Sequence, residues 1–438
     1  MKNSGVDSRY RSTILLLMFL GAAINYMDRA NIGIAAPLIA KHFQFNDAQM
    51  GIILSCVLWT YTIAQIPMGI LIDKFGTRVA IFVGVLVWSI MTGLTGMATG
   101  FMSLLLCRML MGLGEAPTFP GFGRVVAQWF PASERGKANA SFISAVMFGS
   151  AFTPPLVTFV MINYGWSSAF FVTGLISIIW AFFWWKYFRN RPAESPYVSQ
   201  QEISVIGDTD EKYAPVKIPW YSLLKYRNVW ALMIGLFAID YVLYIFVSWL
   251  PTFLVKSKHL TLSKTGFVAM IPYIVAFVLT WVFGLLSDHL VRKGWSATKA
   301  CRTLAVIGMI ISMSILLAVQ VESISWVILF LSLALGGVMA ANGVIWALPA
   351  AISKPNYVGR IGALQNFAGN IGGTLAPLIT GFILQSTGSF VIPLSIGGGL
   401  ALVAILSYLF LMKEQPVLIG DHSESNGAGN PIDVNHSI

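Results

Sequence analysis

Residues 69–78 read Gly-Ile-Leu-Ile-Asp-Lys-Phe-Gly-Thr-Arg, and residues 284–293 repeat the pattern as Gly-Leu-Leu-Ser-Asp-His-Leu-Val-Arg-Lys. In each copy an aspartate follows the glycine by four residues, and basic residues come after it. Glycine permits close helix approach, and an aspartate with following bases can form a charge latch between helices that move against each other. The alternative is that any helix end collects charges. The repeat indicates two related halves. The candidate gating residues are Gly69, Asp73, Arg78 and Asp288.

The composition around this repeat excludes a water-soluble protein. Hydrophobic residues make up 56% of the 438 residues and charged residues only 11%, whereas an average soluble domain has about 25% charged residues. A water-soluble core cannot bury that much apolar surface. We therefore expect an all-α membrane protein, with spans of about twenty mostly apolar residues each.

Twelve apolar stretches have the required length, six in each half of the chain. They lie near residues 13–40, 48–72, 79–98, 101–127, 138–162, 167–187, 229–254, 265–287, 303–321, 325–351, 360–384 and 389–412. The first has no small-residue cleavage site after its apolar start, so we expect a retained span rather than a signal peptide. The predicted organisation is a six-helix bundle at 1–190, a cytoplasmic linker at 191–227, a second six-helix bundle at 228–413 and a disordered tail at 414–438.

The formal net charge of +10 indicates membrane topology rather than nucleic-acid binding. Lys and Arg residues form short clusters between apolar segments, mostly in alternate loops, and basic loops face the cytoplasm. Both termini are therefore predicted to be cytoplasmic. The three cysteines lack metal-ligand spacing and are expected to be packing residues. No phosphate-binding loop or HExxH motif occurs, so we expect no cofactor, no metal and no enzymatic activity.

Segment 69–78 resembles the signature loop of the major facilitator superfamily, and the span count, central linker and diverged second copy agree across nearly the whole chain. Residues 25–31, Asn-Tyr-Met-Asp-Arg-Ala-Asn, and residues 108–117 resemble the anion:cation symporters. This group contains bacterial sugar-acid carriers related to animal vesicular glutamate and sialic acid transporters. The resemblance implies the major facilitator fold, with twelve transmembrane helices in two pseudo-symmetric six-helix bundles, and organic anions as substrates.

Charged residues inside the predicted spans are few. The clear cases are Asp28, Arg29, Arg108, Glu115 and Asp240. A charged side chain at mid-membrane costs about 2.5–3.5 kcal/mol, so such residues face the bundle interior and are expected to pair. Arg108 and Glu115 are about two helical turns apart and share one face of the fourth span. The resemblance places the first and fourth spans around a central cavity, where we expect these charges to meet.

Proton coupling requires an acid whose protonation can be switched. Burial favours the protonated form of a carboxyl group, whereas a nearby arginine favours the ionised form. By resemblance, Asp28 and Glu115 match the family's proton-binding acids, Arg29 matches the arginine associated with the substrate carboxylate, and Arg108 matches the arginine that tunes the acid of the fourth span. A purely structural ion pair is the alternative. All five histidines fall in loops, helix ends or the tail, so we expect carboxylates to carry the protons.

A polyhydroxylated acid needs a carboxylate clamp, neutral hydrogen-bonding groups and an aromatic wall. The candidate substrate-binding residues beside Arg29 are Tyr26, Tyr61, Gln65, Tyr241, Tyr244, Trp346 and Asn366. Their positions resemble the binding shell of the sugar-acid carriers, although packing or lipid contact is the alternative for each aromatic residue. Asp240 could bind a second proton, contact a substrate hydroxyl or cap a local backbone defect.

The expected function is import of a sugar acid, a hexonate, hexuronate or aldarate, by proton symport through alternating access. The open alternatives are an aromatic or other small carboxylate as substrate, and uncoupled or exchange transport on the same fold. Two protons with one monoanion would move a net charge of +1. The expected partners are the organic anion, protons and the lipid bilayer, with no nucleic acid. We expect a monomer in the cell inner membrane.

Overall fold

The structure is a computed structural model that describes residues 9–206 and 220–414. Within these ranges all regular secondary structure is helical, which confirms the predicted all-α class. Residues 207–219 of the predicted linker, and the predicted disordered tail beyond residue 414, lie outside the described residues.

The first half of the chain contains six helices that cover the first six predicted spans. They are α1 (Arg9–Phe43), α2 (Asp47–Thr95), α3 (Phe101–Glu115), α4 (Thr118–Trp129), α5 (Ala132–Tyr164) and α6 (Trp166–Tyr187). Helix α2 carries two spans that join at Gly76, whose φ of 81° belongs to the left-handed region that glycine tolerates. The fourth span is divided into α3 and α4 at Ala116 and Pro117, where proline lacks the amide that an unbroken helix requires.

A short helix and then nine further helices follow in the second part of the chain. They are α7 (Gln200–Ile206), α8 (Arg227–Lys256), α9 (Leu262–Val268), α10 (Met270–Arg292), α11 (Ala297–Ser312), α12 (Ile315–Ala318), α13 (Ile324–Ile345), α14 (Leu348–Ile352), α15 (Pro355–Thr387) and α16 (Val391–Phe410). In the described ranges, nine helical segments are long and apolar enough to cross a membrane. Helix α2 and the divided α3–α4 unit account for the other three predicted spans.

The two halves contact each other at the end opposite the linker. Helix α2 packs on α15, and α5 packs on α9 and α10. A Cβ atom added at Gly51 of α2 would lie 3.0 Å from the Cα atom of Gly381 on α15, so these two backbones touch. The Asp47 carboxylate forms a 2.5 Å ion pair with Lys256, and its backbone amide donates to Gln385 at 3.1 Å. Small residues and polar pairs therefore close this end.

The same helices diverge toward the linker end. A Cβ atom added at Gly69 of α2 or at Gly362 of α15 would meet no described atom within 4 Å, and the same holds at Gly136 of α5 and Gly284 of α10. Close packing at one end and open space at the other describe a cleft between the halves. This cleft opens on the side from which the linker emerges.

The linker helix α7 is tied to the first half by a buried ion pair. Glu202 accepts hydrogen bonds from the backbone amide of Arg11 at 3.0 Å and from its Nε at 3.2 Å. Arg11 also pairs with Glu134 at the start of α5, at 3.0 Å. Arg11 and Glu202 are only 3% and 2% exposed. Burial of this charge requires both partners, so α7 is held against the ends of α1 and α5.

Candidate functional site

The centre of the site is Arg29, in the middle of α1. Its Nε donates to Glu115 Oε2 at 2.6 Å, and its Nη1 donates to the Tyr244 hydroxyl of α8 at 2.8 Å. Both members of the ion pair are buried, with side chains 3% and 0% exposed. Arg29 thus joins three helices and bridges the two halves of the chain.

Aromatic rings surround the Arg29 guanidinium. Its central carbon lies 4.5 Å from the Tyr61 ring centroid and 5.2 Å from that of Tyr26, and cation–π attraction holds it there. The Tyr26 ring contacts the Phe119 ring edge to face. Among the described residues, Arg29 Nη2 and Glu115 Oε1 have no hydrogen-bond partner although both are buried. A buried donor without a partner is costly, so the site has capacity for one more acceptor at Arg29.

Asp28 and Arg108, two of the charges that were expected to meet near mid-membrane, do not pair through their side chains. Asp28 Oδ2 accepts from the Ser177 hydroxyl of α6 at 2.6 Å, whereas Arg108 donates to the Asp28 backbone carbonyl at 3.3 Å and contacts the Met111 sulfur at 3.0 Å. Because successive residues on a helix point about 100° apart, Asp28 faces α6 while Arg29 faces α3 and α8.

A set of neutral amides joins α2 to α15 in the cleft. Gln65 Oε1 accepts from Asn366 Nδ2 at 3.2 Å and from Asn370 Nδ2 at 3.4 Å. Gln65 and Asn366 were both predicted, whereas Asn370 was missed. Its position one helical turn after Asn366 was the available signal, since residues four apart share a face. The amides supply donors and acceptors without adding charge.

The remaining predicted binding residues occupy different surroundings. Tyr241 is buried against the Phe237 ring, and its hydroxyl has no partner among the described residues. Trp346 lies at the break between α13 and α14, where it is 38% exposed and donates to Asn342 at 2.8 Å. The structure therefore joins Tyr26, Tyr61 and Tyr244 directly to Arg29, whereas no described contact links Tyr241 or Trp346 to it.

Asp240 lies one helical turn before Tyr244 on α8. Its carboxylate faces α15, because a Cβ atom added at Gly369 would lie 2.5 Å from Asp240 Oδ2. The side chain is partly exposed, and it forms no hydrogen bond or ion pair with the described residues.

The residues of the repeated motif lie at the linker end. Asp73 pairs with Arg124 of α4, a residue that the sequence analysis missed. Arg78 donates to the Trp185 carbonyl and stacks over the Trp185 ring at 4.2 Å. Both contacts join helices within the first half. Gly69 faces open space, and Asp288 is exposed, with its backbone carbonyl accepting from Arg292.

Residues 18–377 match the sequence profile of the Major Facilitator Superfamily. A D-galactonate transporter of Escherichia coli O6:H1 is 33% identical over 94% of this chain and 98% of its own length. A probable galactarate/D-glucarate transporter of Escherichia coli K12 is 35% identical, with 95% and 96% covered. The hexuronate transporter of Bacillus subtilis 168 is 29% identical, with 97% and 99% covered.

Solved structures share the fold. A bacterial homologue of the human lysosomal transporter Spinster, in an inward-facing and unoccupied conformation, superimposes with a TM-score of 0.70. The alignment covers 92% of this chain and 95% of that protein, at 21% sequence identity. This similarity concerns the architecture of the helices.

Proposed function

The chain belongs to the major facilitator superfamily of membrane transporters, and we propose that it imports a sugar acid together with protons. The full-length relatives named as galactonate, galactarate/glucarate and hexuronate transporters support the substrate class. The single observation that carries the proton coupling is the buried ion pair between Arg29 and Glu115, 2.6 Å apart.

This ion pair makes proton binding and substrate binding favour each other. While Glu115 is ionised, it occupies Arg29 and competes with a substrate carboxylate for the guanidinium. A proton on Glu115 removes that competition, and a carboxylate at Arg29 Nη2 and Nη1 then takes the place of the lost partner. Because coupling is reciprocal, substrate at Arg29 also favours the protonated form of Glu115. Two states are therefore favoured electrostatically: the transporter with neither proton nor substrate, and the transporter with both.

Asp28 is the second proposed proton site. Its carboxylate is completely buried and has one hydroxyl donor, from Ser177, while its Oδ1 has no partner among the described residues. A proton on Asp28 would remove an uncompensated charge from the membrane interior. Two protons carried with one monoanion would make import electrogenic, so that the membrane potential would add to the driving force.

The proposed topology fixes the direction of access. If the basic loops and the linker face the cytoplasm, the cleft opens inward, and the contacts around Gly51, Gly381, Asp47 and Lys256 close the outer end. Import then requires this end to open and the linker end to close, as the two halves of the chain rock against each other around Arg29. The site lies between the halves, so it is exposed alternately to the two sides.

The test is uptake into proteoliposomes driven by an imposed proton gradient, with a panel of sugar acids and aromatic acids. Glu115→Gln should abolish gradient-driven accumulation but keep counterflow exchange, because a glutamine resembles the protonated acid and leaves Arg29 free for substrate. Glu134→Gln is the matched control, since Glu134 is half-exposed and remote from Arg29. Uptake that ignores the gradient in the unmodified protein would favour a facilitator or exchanger instead, and an active aromatic acid would change the substrate class.

A further inference from the structure

Asp240 is the acid near the site that none of the steps above uses. It is placed on α8 so that Tyr244, which holds Arg29, lies one turn away on the same face. On α15, Gly369 leaves room for its carboxylate, and Gly373 one turn later leaves room for the Tyr244 ring. The two glycines therefore allow an acid and a tyrosine to stand side by side at the boundary between the halves.

The charges around this acid are unbalanced. Among the described residues, no cation forms an ion pair with Asp240. Arg29, which bonds Tyr244 one turn away, already has Glu115 as its ion-pair partner. Arg108 donates to a backbone carbonyl and a thioether elsewhere in the first half. In its ionised form, Asp240 has two acceptor oxygens and no cation of its own among the described residues.

The surroundings on the α15 side are neutral. Asn366 and Asn370 lie on the helix face that carries Gly369, and both donate to Gln65. These amides can bond hydroxyl groups, but they carry no charge that would balance a second carboxylate. The site therefore has one cationic end, at Arg29, and one end made of amides and an unpaired acid.

We propose that Asp240 selects sugar acids with a single carboxylate, such as hexonates and hexuronates, against aldarates with two. This inference rests on the proposed function and narrows its substrate class. A hydroxyl group at the far end of the substrate donates to Asp240 and satisfies it. A carboxylate there has no proton to donate, and it brings a like charge beside the ionised Asp240, which repels it.

The experiment uses pairs of acids that differ only at carbon six, where a hydroxymethyl group is replaced by a carboxylate. The pairs are D-gluconate with D-glucarate and D-galactonate with galactarate. Binding is measured with detergent-purified protein from the ligand-dependent rise in unfolding temperature, and uptake is measured in proteoliposomes. We expect the unmodified protein to bind at least one monocarboxylate about tenfold or more tightly than its matched dicarboxylate. Asp240→Asn, which keeps the shape and removes the charge, should shrink that ratio at least fivefold.

Glu134→Gln is the charge-matched control, because Glu134 is half-exposed and pairs with Arg11 rather than with a residue of the Arg29 site, and it must leave the ratio unchanged. Asp240→Ser provides a second variant if the asparagine form unfolds. Equal or tighter binding of the dicarboxylates to the unmodified protein would overturn the inference, as would an unchanged ratio in both Asp240 variants. Selective binding without gradient-driven uptake would defeat proton symport alone, whereas binding of none of the four acids would defeat the sugar-acid substrate class and the inference with it.

Discussion

Arg29 Nε lies 2.6 Å from Glu115 Oε2, and the same guanidinium reaches the Tyr244 hydroxyl of the other half at 2.8 Å. One side chain therefore links the proposed proton site to the second half of the transporter. Any change in the charge of Glu115 alters the bonding of Arg29, and any movement of α8 alters it as well. This arrangement gives substrate binding, protonation and conformational change a common physical element.

Arg29→Lys should weaken substrate binding by about 10- to 100-fold although the positive charge is kept. An ammonium group cannot bond Glu115, Tyr244 and a substrate carboxylate with fixed planar geometry, and each charge-assisted hydrogen bond is worth about 1.5–3 kcal/mol. Binding is measured from the substrate concentration at which the unfolding temperature of the purified protein rises. Binding within threefold of the unmodified protein would show that Arg29 acts only as a charge.

Tyr244→Phe should weaken binding about tenfold, because Arg29 Nη1 loses the acceptor that orients it. Tyr241→Phe is the matched variant three residues earlier. Its hydroxyl has no partner among the described residues, so we expect less than a twofold effect. Initial uptake rates at several substrate concentrations measure both. Equal losses in the two variants would contradict the assignment of Tyr244 to the site.

An inside-negative membrane potential should increase accumulation of a monocarboxylate. If two protons accompany one monoanion, a net charge of +1 crosses, and 100 mV contributes about 2.3 kcal/mol, or roughly fiftyfold at equilibrium. A potassium gradient with valinomycin imposes the potential in proteoliposomes held at equal pH. Vesicles with valinomycin but equal potassium concentrations on both sides are the control. Uptake that is insensitive to the potential would mean one proton per monoanion.

Cross-linking Asp47→Cys to Lys256→Cys should stop transport, since this ion pair closes the end that must open. The background protein lacks the three native cysteines, and a short bifunctional thiol reagent makes the link. Arg302→Cys with Glu414→Cys is the control, because this pair lies within the second half. The cross-linked control should keep most of the uptake that the same variant shows before the reagent is added. Continued transport by the protein that is cross-linked between positions 47 and 256 would show that transport does not require this end to open.

Glu202→Gln should destabilise the protein far more than Glu134→Gln. Both acids pair with Arg11, but Glu202 is buried whereas the Glu134 side chain is 45% exposed. Removing one partner of a buried pair costs about 3–5 kcal/mol, whereas an exposed pair is worth about 0–1 kcal/mol. Thermal unfolding in detergent measures the difference. Similar unfolding temperatures for the two variants would mean that α7 does not stabilise the first half.

The helical architecture followed from the sequence because it depends on local properties. Each predicted apolar stretch coincides with one helix or with two successive helices, since a segment inside a bilayer must satisfy its own backbone hydrogen bonds. The non-helical backbone at Gly76 lies between the second and third predicted spans, whereas the break at Ala116 and Pro117 divides a single predicted span.

Residue types at the site were also predictable, since a charge inside a span is costly and is kept for a purpose. Their partners were not. Asp28 and Arg29 are adjacent in sequence, yet one bonds Ser177 of α6 and the other bonds Glu115 and Tyr244. The partner of each is set by helix rotation and by the packing of helices distant in sequence.

The sequence by itself determined that this chain is an all-helical membrane transporter of the major facilitator superfamily, because hydropathy, charge distribution and the repeated motif are local patterns. Only the tertiary structure decided that Arg29 bridges the halves, that one end of the cleft is closed, and that Asp240 stands beside the site without a cation. These features depend on contacts between residues as far apart as Arg29 and Tyr244, and such contacts are fixed by the packing of whole helices rather than by any segment alone.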